Sequence, residues 1–178
     1  KFLRDKASGF VGDLPVIVGD IISFPVFQIH SLRHGIKVVE FQTPHYERLI
    51  LMFAQKVLTQ NHWDTEDAIS KMQAEVYHPP KLDIIHNSEY LNVDRFTDFP
   101  QFNFDRIRLE PKSTFVNQMN GRYQLLIIIS GQAEVVSQTG NSKILKTEES
   151  VFLPVAMESY RIKSIGEDQL ICLSATPK

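Results

Sequence analysis

Short apolar runs separated by turn residues occupy two parts of this chain, and a region of helical spacing lies between them. In the first part, Gly19, Pro25 and Gly35 divide residues 13–42 into runs of strand length. Apolar runs bounded by glycine and proline are typical of the strands of a β-sandwich or barrel. The pattern predicts strands at residues 14–18, 20–24, 26–31 and 36–41.

The spacing becomes helical between residues 43 and 75. Thr43 and Pro44 match an N-cap and a first helical residue, and apolar residues then recur every three or four positions. A second, shorter helix is predicted after Asp64, with Asp67 completing a capping box. The buried stripe of this second helix is predicted to be Ala68, Ile69 and Met72. Residues 77–80, Tyr-His-Pro-Pro, then predict a linker.

The β pattern returns from residue 81 to the end of the chain. Residues 106–110 alternate cleanly, and residues 123–129 form a near-continuous apolar run that predicts a strand buried on both faces. Gly131 and residues 139–141 predict turns. The remaining predicted strands are residues 133–136, 150–153, 160–165 and 169–174. This region is therefore expected to be an all-β jelly roll.

The composition of the chain bears on its partners and on its cellular compartment. The chain has 178 residues, 43% of them hydrophobic and 22% charged, with a formal net charge of −2. This balance is ordinary for a globular protein and predicts neither a nucleic-acid nor a membrane partner. The single cysteine, Cys172, excludes an internal disulfide and favours a reducing, cytoplasmic compartment. Because the sequence starts with Lys1 rather than Met, a fragment or processed product is expected.

His30 lies in a spacing pattern that is typical of metal-binding histidines. The spacing Gly19-x5-Pro25-x4-His30 resembles the second conserved motif of the cupin superfamily, in which the histidine binds a metal. Glu148-x5-Pro154 repeats the spacing, with Ser159 at the histidine position. The region before it resembles the first cupin motif, but the positions of its His, His and Glu ligands hold Gln118, Asn120 and Gln124. The resemblance therefore implies two barrels, the second without metal ligands.

A bicupin of this kind resembles the class I mannose-6-phosphate isomerases. The similarity lies in residues 123–134 and 149–154, for the terminal barrel, and in residues 24–40, for the strand pair that delivers the last zinc ligand. It implies a mainly β bicupin, or double-stranded β-helix, with three parts. These are the last strands of a first barrel in residues 1–42, a helical connector in 43–80 and a second barrel in 81–178.

The resemblance also implies a reaction. An isomerase of this family interconverts an aldose and a ketose phosphate, which needs a Lewis acid and a base. His30 is implied to be a ligand of one zinc ion, with the remaining ligands outside this segment, and Arg48 to be the catalytic arginine. Glu40 and Gln42 match polar positions on the next strand, and His34 is a weaker candidate ligand because Arg33-His34-Gly35 predicts a turn.

Each assignment has a structural alternative. The alternative for His30 is a core or rim histidine bonded to a backbone carbonyl, and the alternative for Arg48 is a solvated helix residue. Two other functions therefore stay open. The chain can be a non-catalytic cupin that binds a sugar or small carboxylate as a sensor or assembly module. Alternatively, its second barrel can be purely structural and pair with a partner barrel in a homodimer.

Overall fold

The computed structural model describes residues 9, 11–42, 49, 65–97 and 99–178. The helix in this part of the chain, α1, spans Thr65–Lys71. It is too short and too polar to cross a membrane, as is every helix among the described residues. Ten strands follow: β1 Leu82–Asn87, β2 Leu91–Phe96, β3 Phe102–Leu109, β4 Thr114–Gln118, β5 Gln124–Ser130, β6 Gln132–Ser137, β7 Ser142–Lys146, β8 Ser150–Leu153, β9 Ser159–Ser164 and β10 Leu170–Pro177.

The strands form two sheets, and each predicted strand after residue 81 corresponds to one of them. A six-stranded sheet has the order β1-β2-β3-β10-β5-β8, and a four-stranded sheet has the order β4-β9-β6-β7. The sheets are not closed into one barrel. The observed architecture is therefore mainly β and fits a jelly roll, as the sequence predicts.

The core lies between the inner faces of the sheets. It consists of alternate residues of each strand, because successive side chains point to opposite faces. In β5, Leu126 and Ile128 are fully buried, whereas Leu125 on the outer face is 39% exposed. The prediction that this strand is buried on both faces is thus wrong at Leu125. The central core residues are Ile107, Leu109, Leu126, Ile128, Leu145, Ile162 and Leu170.

Glycine permits the tight turn between β5 and β6. Gly131 has a φ of +87°, and a Cβ atom there would lie 3.2 Å from the carbonyl oxygen of Gln169. Both the left-handed backbone and the close approach favour glycine. Gly140, with a φ of +86°, occupies the predicted turn between the antiparallel strands β6 and β7.

The four strands predicted between residues 13 and 42 are absent. Residues 11–42 contain turns and one isolated parallel bridge, between Gln28 and Gln73. Ile17 and Val26 are 78% and 73% exposed. A strand needs a neighbour to satisfy its backbone groups and an opposing face to cover its apolar side chains, and the described residues provide neither here. The first barrel, and with it the bicupin, is therefore not confirmed.

The second predicted helix is confirmed as α1, but its buried stripe is only partly correct. Ala68 is buried, whereas Ile69 and Met72 are 51% and 39% exposed. Asp67 accepts a hydrogen bond from Lys71 Nζ at 3.1 Å, one turn later. The proposed cap Asp64 and the helix predicted from Pro44 lie outside the described residues.

The chain divides into two compact units, residues 1–15 with 23–78 and residues 16–22 with 79–178. The short segment 16–22 thus belongs to the β-sandwich unit. Gly19, with a φ of +91°, forms a turn in which Asp20 Oδ2 accepts a hydrogen bond from the Ile17 backbone N–H. The Gly19 carbonyl accepts a hydrogen bond from Arg106 Nη1 at 2.8 Å, and its α-carbon approaches Ile171.

Candidate functional site

A polar cluster interrupts the apolar core between the two sheets. It consists of Asn117 from β4, Gln124 from β5, Tyr160 from β9 and Ser174 from β10. Gln124, Tyr160 and Ser174 are 5%, 1% and 1% exposed. We call these four residues the interior network. Strand alternation places them inward, because each lies two residues from an inward-facing core position or opposite one.

One oxygen atom is the centre of the interior network. Gln124 Oε1 accepts hydrogen bonds from Tyr160 Oη at 2.7 Å and from Asn117 Nδ2 at 3.0 Å, and Ser174 Oγ lies 3.4 Å away. Asn117 Nδ2 also donates to Tyr160 Oη at 2.8 Å. Side chains from both sheets therefore converge on a single acceptor, which holds the sheets in one register.

The interior network is neutral. Burial raises the pKa of Tyr160 well above its ordinary value, so the phenol stays protonated and donates a hydrogen bond to Gln124 Oε1. Burial also raises the pKa of the nearby Cys172 thiol, to about 12, which removes it as a thiolate nucleophile. The cluster can position hydrogen-bond donors and acceptors, but it has no group suited to moving a proton near neutral pH.

A charged pair lies beside the network on the same inner face. Arg95 Nε and Nη2 donate to the two carboxylate oxygens of Asp105 at 2.6 and 2.7 Å. This hydrogen bonding raises the pKa of Arg95. Asp105 lies opposite Ser174 across the β3–β10 pair. The bidentate geometry occupies the guanidinium edge that would otherwise be free to bind a ligand carboxylate.

The positions that match metal ligands in the cupin motifs are dispersed. Gln118 and Asn120 are exposed, and Ser159 is only partly buried. Gln124 alone is buried and faces inward, and its amide oxygen already accepts hydrogen bonds from protein donors. An amide is also a poorer ligand for zinc than the carboxylate of the motif.

His30 lies in the other unit and is exposed. Its ring stacks on Phe24 with a centroid distance of 4.2 Å, and its Nδ1 lies 2.8 Å from the Gln28 carbonyl oxygen. Because a carbonyl only accepts, this contact makes Nδ1 the donor, and in a neutral ring the lone pair is then on Nε2. Ligating histidines often have this arrangement, but it also matches the carbonyl-bonded alternative, so the assignment of His30 stays a prediction.

No zinc site is assembled within the described ranges, where no three His, Cys, Asp or Glu side chains group together. Glu40 and Gln42 are exposed, and His34 lies in a turn closed by the Ile36 N–H and the Arg33 carbonyl, as predicted. Arg48 lies outside the described residues. One suitable nitrogen does not make a metal site, so no catalytic step through zinc follows from these residues.

A second polar cluster, which the sequence analysis missed, lies on the outer face of the six-stranded sheet. Asp94 Oδ2 accepts from Arg106 Nη2 and Arg108 Nη2, both at 2.7 Å, and from Arg106 Nε at 3.1 Å. We call these three residues the outer cluster. The sequence does contain a signal for this cluster, the two dipeptides Asp94-Arg95 and Asp105-Arg106. When β2 and β3 pair, each Asp lies opposite an Arg of the other strand, so one ion pair forms on each face of the sheet.

The chain is similar in structure to several known proteins, but the similarities are distant. No protein-family model and no curated protein matches the chain. Ectoine synthase from P. lautus is similar over 52% of this chain and 67% of its own, with 12% identity and a TM-score of 0.45. The Cupin_2 domain of an XRE family transcriptional regulator from Enterobacter cloacae is similar over 49% and 96%, with 15% identity and a TM-score of 0.45.

A Cupin 2 conserved barrel domain protein from Salinispora arenicola is similar over 58% of this chain and 89% of its own, with 19% identity and a TM-score of 0.46. The second and third of these structures are described as cupin domains. Because each likeness has a TM-score below 0.5, none of them carries an argument about activity or substrate.

Proposed function

We propose that the β-sandwich of this chain is a non-catalytic binding module for a sugar or small carboxylate and acts as a sensor or an assembly module. One observation carries the proposal: Gln124 occupies the position where the related motif has a metal-binding carboxylate, and its oxygen is saturated by Tyr160 and Asn117. A neutral, closed network of this kind stabilises a fold and does not supply an acid, a base or a metal ligand.

The sugar-phosphate isomerase is the second candidate, because the Gly19-x5-Pro25-x4-His30 motif favours it and His30 keeps a nitrogen lone pair on Nε2. In this proposal, His30 is one ligand of a zinc ion, Arg48 acts at the sugar phosphate, and other parts of the natural protein complete the site. When bound, zinc would polarise the carbonyl and hydroxyl oxygens of the substrate.

Zinc content and turnover separate the two proposals. The natural full-length protein and its His30→Ala variant are compared by metal quantification and by a coupled assay with mannose 6-phosphate. His78→Ala serves as the matched control, because His78 is also exposed and lies in the same unit. We expect substoichiometric zinc and no turnover in all three proteins. The opposite result is stoichiometric zinc and turnover in the wild type and in His78→Ala, with both lost in His30→Ala. That result would contradict the binding module and support the isomerase.

A further inference from the structure

The β-sandwich is open on one side, where two edge strands face each other. β7 is the last strand of the four-stranded sheet and pairs only with β6, and β8 is the last strand of the six-stranded sheet and pairs only with β5. A cavity of about 370 Å³ lies between them. We call it the side cleft. Its volume is at the lower end of the range for small-molecule sites, roughly 300 to 1,000 Å³.

The side cleft has one apolar wall and one polar side, which is formed by residues 137–139 and 141–143 at the turn between β6 and β7. Val151 lies opposite Leu126, and Leu153 lies opposite Gln124, so both side chains face inward from β8. Val135 faces them from the other sheet, and Met157 closes one end. Val135 and Leu153 are only 6% and 2% exposed and form the covered base of this wall, whereas Val151 and Met157 are partly exposed and form its accessible surface. The apolar wall suits an aliphatic or aromatic body, and the polar side offers hydrogen-bond partners to a polar head group.

One charged side chain lines the side cleft. Lys143 lies opposite Val135 across the β6–β7 pair and therefore belongs to the inner face of its sheet. The lining has no acidic residue, and Lys143 forms no ion pair with any residue that the structure describes. An unpaired ammonium group beside an apolar wall attracts an anion that has an apolar body.

We propose that the side cleft binds a small monocarboxylate, with the carboxylate at Lys143 and its apolar body against Val151 and Met157. The proposal rests on the proposed function, because it gives the binding module its site and ligand class. The site does not use the donors and acceptors of the interior network, which already satisfy one another. A dicarboxylate is disfavoured because its second charge would meet only apolar or neutral lining.

The test is to titrate the full chain with sodium hexanoate and to monitor its backbone chemical shifts by two-dimensional NMR. A parallel titration uses hexanamide, which has the same apolar body but no charge. We expect hexanoate to shift the resonances of β7 and β8 and to bind more tightly than hexanamide. In Lys143→Met the dissociation constant for hexanoate should rise about tenfold and approach that for hexanamide. Lys146→Met is the matched control, because Lys146 lies on the same strand outside the cleft lining.

A second variant tests the apolar part of the side cleft independently of the lysine charge. Ala156→Trp should fill the cleft and weaken both ligands, because Ala156 is an exposed lining residue whose replacement leaves the core intact. Absence of hexanoate binding to the wild type, or equal binding by all variants, would overturn the site. Self-association of Lys143→Met with unchanged hexanoate binding would show that the lysine only protects an edge strand.

The inference and the proposed function can fail separately. Shifts confined to Gln124 and Tyr160 would overturn the side cleft but keep the binding module. A zinc-loaded, active protein would overturn the module, whatever the cleft binds.

Discussion

Two polar clusters lie on opposite sides of the six-stranded sheet, and each provides hydrogen-bond partners for side chains that the fold removes from solvent. The interior network lies on the inner face and uses amide and hydroxyl groups without charge. The outer cluster lies on the opposite face and places one carboxylate, Asp94, between two arginines. Charge occurs on both faces where it is paired: Arg95 and Asp105 form a bidentate pair on the inner face, and Asp94 is buried between its arginines on the outer face. The comparison indicates that both clusters are structural and that their costs on disruption differ.

The largest expected effect comes from removing the acid of the outer cluster. In Asp94→Ala, two arginines lose their shared acceptor, and Arg106 keeps only the Gly19 carbonyl. The side chains of Asp94 and Arg106 are 11% and 17% exposed. We expect the free energy of unfolding to fall by about 3 to 5 kcal/mol, measured by urea denaturation. Glu167→Ala, which removes an exposed pair with Lys112, should leave it unchanged within error.

The interior network should respond less strongly. Gln124→Leu places an apolar side chain of similar size in the core but leaves Tyr160 Oη and Asn117 Nδ2 without their main acceptor. We expect a loss of about 2 kcal/mol in the same denaturation experiment. Gln118→Leu is the control, because Gln118 is exposed on the edge strand β4. An equal loss in both variants would contradict the role assigned to the buried oxygen.

The smallest effect is expected for the phenol, and it depends on pH. Tyr160→Phe removes one hydrogen bond and should cost about 1 kcal/mol at neutral pH. Because burial raises the pKa of Tyr160 above the ordinary value of 10.0, its contribution is complete below pH 10 and is lost as the pH rises further. The stability curves of wild type and variant should therefore converge above pH 10. Parallel curves would indicate that the phenol is not held protonated.

The sequence predicts six of the ten strands after residue 81, because local alternation and turn residues agree with the final pairing there. The four strands that it does not predict are β1, β2, β4 and β7. Between residues 13 and 42 the same local signals predict strands that do not form. Alternation shows which side chains can share a face, but it carries no information about whether a partner strand is available. Ile17 and Val26 illustrate the difference, since both have strand-like neighbours in sequence and remain largely exposed.

The polar clusters are harder to predict, because they depend on register. Gln124 is the first residue of an otherwise apolar strand, which marks it as unusual, but its three potential donors come from three other strands. Likewise, Asp94 meets Arg106 only because β2 and β3 pair in one register. The resemblance assigned chemistry to His30 and Arg48, and neither assignment is tested by the described residues.

The hydrogen bond between the Gly19 carbonyl and Arg106 joins residues 87 positions apart, and the same glycine packs against Ile171 in the last strand. Residues 16–22 therefore emerge from the ribosome long before the surface that they cover exists. They can take their final position only after β10 has been synthesised and inserted between β3 and β5. Completion of this unit during biosynthesis is consequently a late event, and until then the outer cluster lacks one of its hydrogen-bond acceptors.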